Sequence, residues 1–339
     1  MKRLLYIITI GLSLTACDMD KYPLDAVSPD TFFDTENDLR LYSNSFYDAL
    51  PSASDIYGEA VDNIIKMDLA DEIRGTRIVP TNDGGWTWEE LRNINFYLDN
   101  SSKCVDEAAR LRYDALARFF RAYFYFDKVK RFGDVPWYEH ALNDKDEESL
   151  MMSRTSRTEV LDHILADIDN AIAFLPEEKK VNEVTHWTAL ALKARICLYE
   201  GTFRKYHDEF NLPDYERFLN EAVSAADELM TKSGYKIYSM GKPESDYLNF
   251  FASHEAIKDE VILARGYSDE FQVYHNLNYY TMTASFGRPG LEKRLVNSYL
   301  MRDGKRFTDQ PGYDTMFFTE EMKGRDPLLS QTIRTPGYT

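Results

Sequence analysis

The sequence predicts a mainly α fold: TPR-like helical hairpins joined to a long irregular loop region and a few short strands. Three observations predict it. Between residues 88 and 233, apolar side chains recur at three- and four-residue spacing in block after block. Gly or Pro closes most of these blocks, as expected where a helix must stop. After Gly234 the helical period fades, and Tyr, Asn and Gly become frequent.

The first block, 88–103, carries Leu91, Ile94, Asn95 and Leu98 at helical spacing. The second, 106–132, is a long helix with one stripe of Leu111, Ala115, Phe119, Ala122, Phe126 and Val129, stopped by Gly133 and Pro136. The third opens at Ser156 or Arg157 and places Val160, Ile164, Ile168, Ala171 and Leu175 on one face before Pro176. The fourth, 185–206, carries Ala189, Leu192, Ala194 and Leu198. The fifth begins at Pro213-Asp214, carries Phe218, Ala222, Ala225 and Leu229, and closes at Gly234. Paired as 106–132 with 157–175, and 184–206 with 214–233, these helices make hairpins whose alanines allow close crossing. The 34-residue period of true tetratricopeptide arrays is not kept, and residues 137–155 interrupt the first pair.

Beyond Gly234, Tyr235-Lys236-Ile237-Tyr238 alternates like a short strand, and Glu260-Val261-Ile262-Leu263-Ala264 is another short apolar run. Residues 265–290 have no period and read as a long ordered loop, a feature that is usually functional in a compact domain. A short helix is expected over 291–301, then coil containing Pro and Gly to Thr339.

The chain starts Met1-Lys2-Arg3, continues with an apolar run from Leu4 to Leu14, and reaches Leu14-Thr15-Ala16-Cys17. A basic start, a short apolar core and small residues before a cut site make a secretory signal. The apolar run is shorter than the roughly 20 residues a membrane span needs. Leu-Thr-Ala-Cys is similar to a bacterial lipobox, whose cysteine is acylated and becomes the new N-terminus. The expected organisation is a signal peptide at 1–16 and a tether lipidated on Cys17 at 17–29. A helical region follows at 30–234, and a loop-rich region at 235–339. The lipid on Cys17 is expected to anchor the chain to a membrane.

Composition limits the function classes. At 44% hydrophobic the chain can bury a substantial core. A net charge of −17 argues against nucleic acid or an anionic membrane patch as partner. The 23 tyrosines suit half-wet contact surfaces. Besides Cys17 there are Cys104 and Cys197, which an exported protein could hold as a disulfide or as two buried thiols. No HExxH or CxxC zinc pattern occurs, and no GxSxG, P-loop or GxGxxG. With 57 acidic residues, glycosidase-like carboxylate pairs arise by chance everywhere. Asp303-Gly304-Lys305 lacks the alternating ligands of an EF-hand and reads as a turn. No metal, cofactor or enzymatic activity is expected.

Several blocks, in order, resemble the SusD/RagB family of surface glycan-binding lipoproteins. Trp88-Glu-Glu-Leu-Arg-Asn-Ile-Asn-Phe-Tyr-Leu-Asp-Asn100 is similar to an early helix of that family. Ala117-Arg-Phe-Phe-Arg-Ala-Tyr-Phe-Tyr-Phe-Asp-Lys-Val-Lys-Arg-Phe-Gly-Asp-Val-Pro136 is similar to its most distinctive stretch, a long helix ending in FGDVP. Ser153-Arg154, Glu159-Val160 and Ile164-Leu-Ala-Asp167 resemble the next helix. Ala189-Leu-Ala-Leu-Lys-Ala-Arg195 with Leu198-Tyr199 resembles another. Arg288-Pro-Gly-Leu291, Leu295-Val-Asn-Ser-Tyr299 and Asp303-Gly-Lys305 resemble a later segment. Family members usually continue well beyond that last block, so a C-terminally short fragment or product is expected here.

The resemblance implies a non-enzymatic protein that takes up oligosaccharide and delivers it to a SusC-type TonB-dependent transporter. Its helical side would face the transporter and its loop side the sugar. The implied partners are that transporter, the oligosaccharide, and outer-membrane lipid through the acyl anchor. A TPR-like outer-membrane scaffold that binds peptide or protein is the alternative.

Glycan binding needs aromatic faces for sugar rings, and amides, carboxylates and Arg for hydroxyl groups. Two stretches supply the mixture. The first, 68–88, offers Asp71, Glu72, Arg74, Arg77, Asn82 and Trp86; the second, 265–286, offers Tyr267, Tyr274, Asn276, Asn278, Tyr279, Tyr280 and Phe286. Bland readings compete. Trp88 and Trp137 suit packing, and Trp86 suits an exposed platform or a packed side chain equally. Most of the tyrosines suit packing of the loop, and Asp71, Glu72 and Arg74 suit a surface ion network.

Overall fold

Asp106 starts the central helix of the protein. Its carboxylate accepts from the Ala109 amide at 3.1 Å, satisfying one of the donors a helix start leaves open. In the computed structural model, which describes residues 32–52, 63–65, 69, 71–81, 84–286 and 290–334, that helix is α3. The signal, Cys17, the tether and Asn82 lie outside the described residues, as do the side chains of Glu72, Tyr280 and Phe286.

The helical part runs α1 (Glu36–Ser43), α2 (Glu89–Asn100), α3 (Glu107–Phe132), α4 (Arg157–Phe174), α5 (His186–Tyr206) and α6 (Tyr215–Lys232). α3 packs against α4, and α5 against α6, as the hairpin reading expects; α4 also meets α5, so the pairs stack. Gly133, at φ 71°, ends α3 in a conformation that β-carbons disfavour, and its amide closes on the Val129 carbonyl at 3.0 Å. Ser156 caps α4, and Thr185 caps α5 through a reciprocal pair with Thr188. Gly201 marks a close approach of α5 and α6: a β-carbon there would lie 2.8 Å from the Leu219 side chain.

Most of the expected stripes face the core, including Ala115, Phe119, Ala122, Phe126 and Val129 of α3 and every expected position of α4. Two leucines do not. Leu111 is 37% exposed and Leu198 is 55% exposed. On α5 the expected Ala189 and Leu192 are buried, joined by Leu190, Ile196, Cys197 and Glu200. The core of the stack is rich in rings. Trp137 lies parallel to Tyr125 at 4.2 Å and to His163 at 4.5 Å, so it packs. Trp88 also packs, edge-on to Trp86 and Tyr138.

Ion pairs cross-link the same stack. Asp167 of α4 accepts from Arg121 at 2.6 and 2.8 Å and from Arg118 at 2.9 Å, both on α3. Cys104 and Cys197 are free, buried thiols.

The short strands lie elsewhere than the alternation suggests. β1 (Ile64–Ile65) pairs antiparallel with β2 (Gly290–Leu291), Ile64 opposite Leu291. Residues 235–238 make one backbone bond, Lys236 to Asp259, and Ile237 is 85% exposed, so alternation there does not bury a face. The later part carries α7 (Asp246–Phe251), α8 (Leu277–Met282), α9 (Lys293–Ser298) and α10 (Pro327–Thr332). The end is thus more ordered than the expected coil, because Asp326 caps α10 and Pro327 opens it. Asp303-Gly304-Lys305 is a turn: the Gly304 amide donates to Met301, and Asp303 accepts from the Lys305 amide. No helix among the described residues is long and apolar enough to cross a membrane.

Candidate functional site

The link between α4 and α5 carries Val181 and Asn182, and this link holds the loop-rich region in place. The Ala264 amide donates to the Val181 carbonyl at 2.7 Å, and the Asn182 side-chain amide donates to the Ala264 carbonyl at 2.8 Å. The chain then folds back as a tight hairpin. Ser268 and Val273 exchange both backbone bonds at 3.0 Å, and Gln272 takes the left-handed φ of 54° that the turn demands. Phe271, at the tip, is 74% exposed.

This hairpin and the start of α8 wall a cleft of about 880 Å³. Tyr267, Tyr274, His275, Asn278, Asn182 and Asp269 are among its lining residues. Tyr267 stands edge-on to His275 at 4.6 Å, which fixes its plane while leaving it 41% exposed; Tyr274 is 62% exposed. The size fits a small-molecule or oligosaccharide site. Accessible rings beside amides and a carboxylate can stack on sugar faces and pair with hydroxyl groups.

A second cleft of about 700 Å³ adjoins the first, sharing Asn182, Ala264, Arg265, Gly266 and Val273. Its other walls include Arg40 from α1, Tyr47, Asp48, Arg112 from α3 and Glu183. The Tyr47 hydroxyl accepts from the Val184 amide at 2.9 Å, and burial raises its pKa. The two clefts share, as a common wall, the segment that Asn182 pins.

Three of the expected sugar-contacting residues, Tyr267, Tyr274 and Asn278, meet in the first cleft. Tyr279 is 56% exposed but is not among its lining residues. The first stretch lies elsewhere. Asp71 accepts from the Thr76 hydroxyl at 2.8 Å and so closes its own turn, and Arg74 and Arg77 are exposed. Trp86 is half-buried: its ring is edge-on to Trp88 at 5.1 Å and to Phe132 at 4.8 Å, and the Arg154 guanidinium lies over it at 4.8 Å. It lines a separate cleft of about 550 Å³ with Trp88, Tyr138 and Leu142. The ring is thus packed against its neighbours and also lines a cleft. Asn182, Arg265 and His275 were not singled out by sequence. His275 and Arg265 flank expected residues, but nothing near Asn182 signals its role, which depends on a partner 82 positions away. No cluster of potential metal ligands occurs among the described residues.

Comparison with known proteins agrees with this architecture. Residues 55–198 match a SusD-like family model described as starch-binding and associating with the outer membrane. SusD-like protein P2 of Formosa agariphila is 28% identical over 223 residues, which are 60% of this chain and 44% of that protein. A SusD-like protein of Bacteroides fragilis superposes with a TM-score of 0.71 at 22% identity, over 92% of this chain and 62% of that one. A structure with xylogluco-oligosaccharide superposes with a TM-score of 0.56 at 17% identity, over 78% of this chain and 55% of that one. At these identities the superpositions speak for the fold alone. Fold and matched residues define the class, a TPR-like helical-hairpin protein with a loop-borne groove. Residues 55–198 are thus similar to the SusD-like family, and the chain spans less than half the length of the curated relative above.

Proposed function

We propose that this protein binds oligosaccharide at the cell surface, in the cleft walled by Tyr267, Tyr274 and Asn278, and does not transform it. The single observation that carries this reading is the cleft itself: two exposed rings beside amides and a carboxylate in about 880 Å³. The family description and the xylogluco-oligosaccharide held by a protein of the same fold support it. Cys17 carries the acyl chains, residues 1–16 are removed, and residues 17–29 tether the helical region (30–234) and the loop-rich region (235–339) to the outer membrane. The bound sugar passes to a SusC-type TonB-dependent transporter.

Calorimetry on residues 18–339 with neutral oligosaccharides, xyloglucan- and starch-derived, tests the binding step. Binding that weakens about tenfold or more in Tyr267→Ala or Tyr274→Ala is expected, equivalent to about 1.4 kcal/mol. Binding insensitive to both changes would remove this cleft as the site. Palmitate labelling of the full chain, lost in Cys17→Ser, tests the anchor. Co-purification with a TonB-dependent transporter from native membranes tests the delivery step.

A further inference from the structure

The two adjoining clefts, arms that share a wall, differ in charge. In the Tyr267 arm, Asp269 and Glu255 accompany Lys258, and the rings dominate. The second arm has three guanidinium groups, Arg40, Arg112 and Arg265, against the carboxylates Asp48 and Glu183. Glu183 is already shared: Arg112 approaches it at 3.7 Å and Lys180 at 3.6 Å. Arg40 donates to the Asn37 side chain at 2.9 Å. Arg265 has no ion-pair partner among the described residues, and it lines both arms. This arm therefore carries more guanidinium groups than carboxylates, in a chain of net charge −17.

We infer that the ligand is an acidic oligosaccharide, with a sugar ring against Tyr267 and Tyr274 and a carboxylate or sulfate group in the arginine arm, held by Arg265 with Arg112 behind it. The inference rests on the oligosaccharide reading above and adds the substrate class. Guanidinium is the group suited to this task, because its planar fork matches carboxylate and sulfate oxygens two at a time. Arg265 lines both clefts, so it can meet a ligand that occupies either of them. The arm's floor, Tyr47, Leu50, Tyr113 and Leu263, is partly apolar, which lowers screening by water and strengthens the charge contact. The acidic unit belongs in this arm rather than beside Tyr267, where Asp269 and Glu255 would repel it.

The test is a glycan array in which each uronate or sulfated oligosaccharide is printed beside its carboxyl-reduced or desulfated counterpart, probed with residues 18–339. Acidic members are expected to bind at least tenfold more strongly than their neutral counterparts. That ratio should fall toward one in Arg265→Gln, with Arg112→Gln as a second variant, both verified as folded by circular dichroism. It should also fall as salt rises from about 0.05 to 0.5 M, because exposed charge contacts are screened. If neutral members bind as well as acidic ones and the ratio ignores both arginine changes, the acidic inference is overturned and the oligosaccharide reading stands. If no glycan binds at all, both are overturned.

Discussion

Arg157 and Glu200 form a buried, two-pronged ion pair between α4 and α5. Nε and Nη2 of Arg157 lie 3.0 and 2.6 Å from Glu200 Oε2, and both side chains are almost wholly shielded from solvent. Glu200 also accepts from Arg204 at 2.8 Å, one turn further along α5. Arg157 lies over the Phe203 ring at 3.9 Å, and Arg204 over Phe218 of α6 at 4.3 Å. One carboxylate therefore serves two guanidinium groups at the junction of three helices. Removing one partner of a buried pair leaves an uncompensated charge, which costs about 3–5 kcal/mol. Glu200→Ala is expected to lose at least that much in urea unfolding. The double change Arg157→Leu with Glu200→Leu should be milder than Glu200→Ala alone, and a harsher double variant would sink this account.

Gly201, the next residue, is small for a different reason. An added β-carbon would stand 2.8 Å from the Leu219 side chain and 3.1 Å from the Leu219 amide, which leaves no room at the α5–α6 crossing. Overpacking of this kind typically costs about 1–3 kcal/mol. In the middle of a helix Gly→Ala ordinarily stabilises by up to about 1 kcal/mol. Gly201→Ala should nevertheless lower the melting temperature, and Leu219→Ala in the same chain should recover part of the loss. A rise in melting temperature for Gly201→Ala would contradict the close approach.

The buried thiol and phenol groups link stability to pH. Burial pushes the Cys197 pKa up from 9.0 to about 12, and burial likewise raises Tyr42 from 10.0 to about 12. A group whose folded pKa exceeds its unfolded value contributes stability that is complete below the unfolded pKa and is lost as pH rises through the folded one. Stability should thus be insensitive to these groups below pH 9.0 and fall progressively between there and about pH 12. Cys197→Ala should flatten the lower part of that fall. In the Cys17→Ser background, a thiol reagent at about pH 8 should find neither Cys104 nor Cys197 in the folded protein and both after denaturation. Zero thiols after denaturation would mean that the two are bridged.

The helices were legible because their signals are local. Asp106, Ser156 and Thr185 stand where caps belong, Gly133 and Gly234 where helices must stop, and the alanines of α3 to α6 where helices cross. Leu111 and Leu198 misled because periodicity names a stripe but not its length or which of two apolar flanks meets a partner. α5 is apolar on more than one side, and its buried face is fixed by α4 and α6 together. The strands at 64–65 and 290–291 were beyond reach, since two residues carry no period and their pairing joins distant parts of the chain. The groove was half legible. Tyr267, Tyr274 and Asn278 are the residue types sugar binding requires, packed closely in sequence. Trp86 is equally suitable by type, but Arg154, far along the chain, lies over its ring.

Asn182 is where the helical stack and the groove depend on each other. Its side-chain amide bond to the Ala264 carbonyl, at 2.8 Å, holds the shared wall of both arms together with the Ala264–Val181 backbone bond, and a β-carbon at Gly266 would sit 3.4 Å from the same nitrogen. Asn182→Ala removes one hydrogen bond at a partly exposed position, so the loss in global stability should be modest, about 1 kcal/mol. Binding should suffer more than stability, because residues 264–266 then lose the anchor that aligns Arg265 with Tyr267, and the ligand must order them itself. Amide hydrogen exchange should quicken at residues 263–268 while α4 and α5 remain protected, and oligosaccharide affinity should drop by about tenfold. Asn182→Asp, which keeps the shape but replaces the donor with a carboxylate facing a carbonyl, should behave no better than Ala. Unchanged exchange at 263–268 in both variants would show that the Ala264–Val181 backbone bond alone holds the wall, and that Asn182 is only part of the lining.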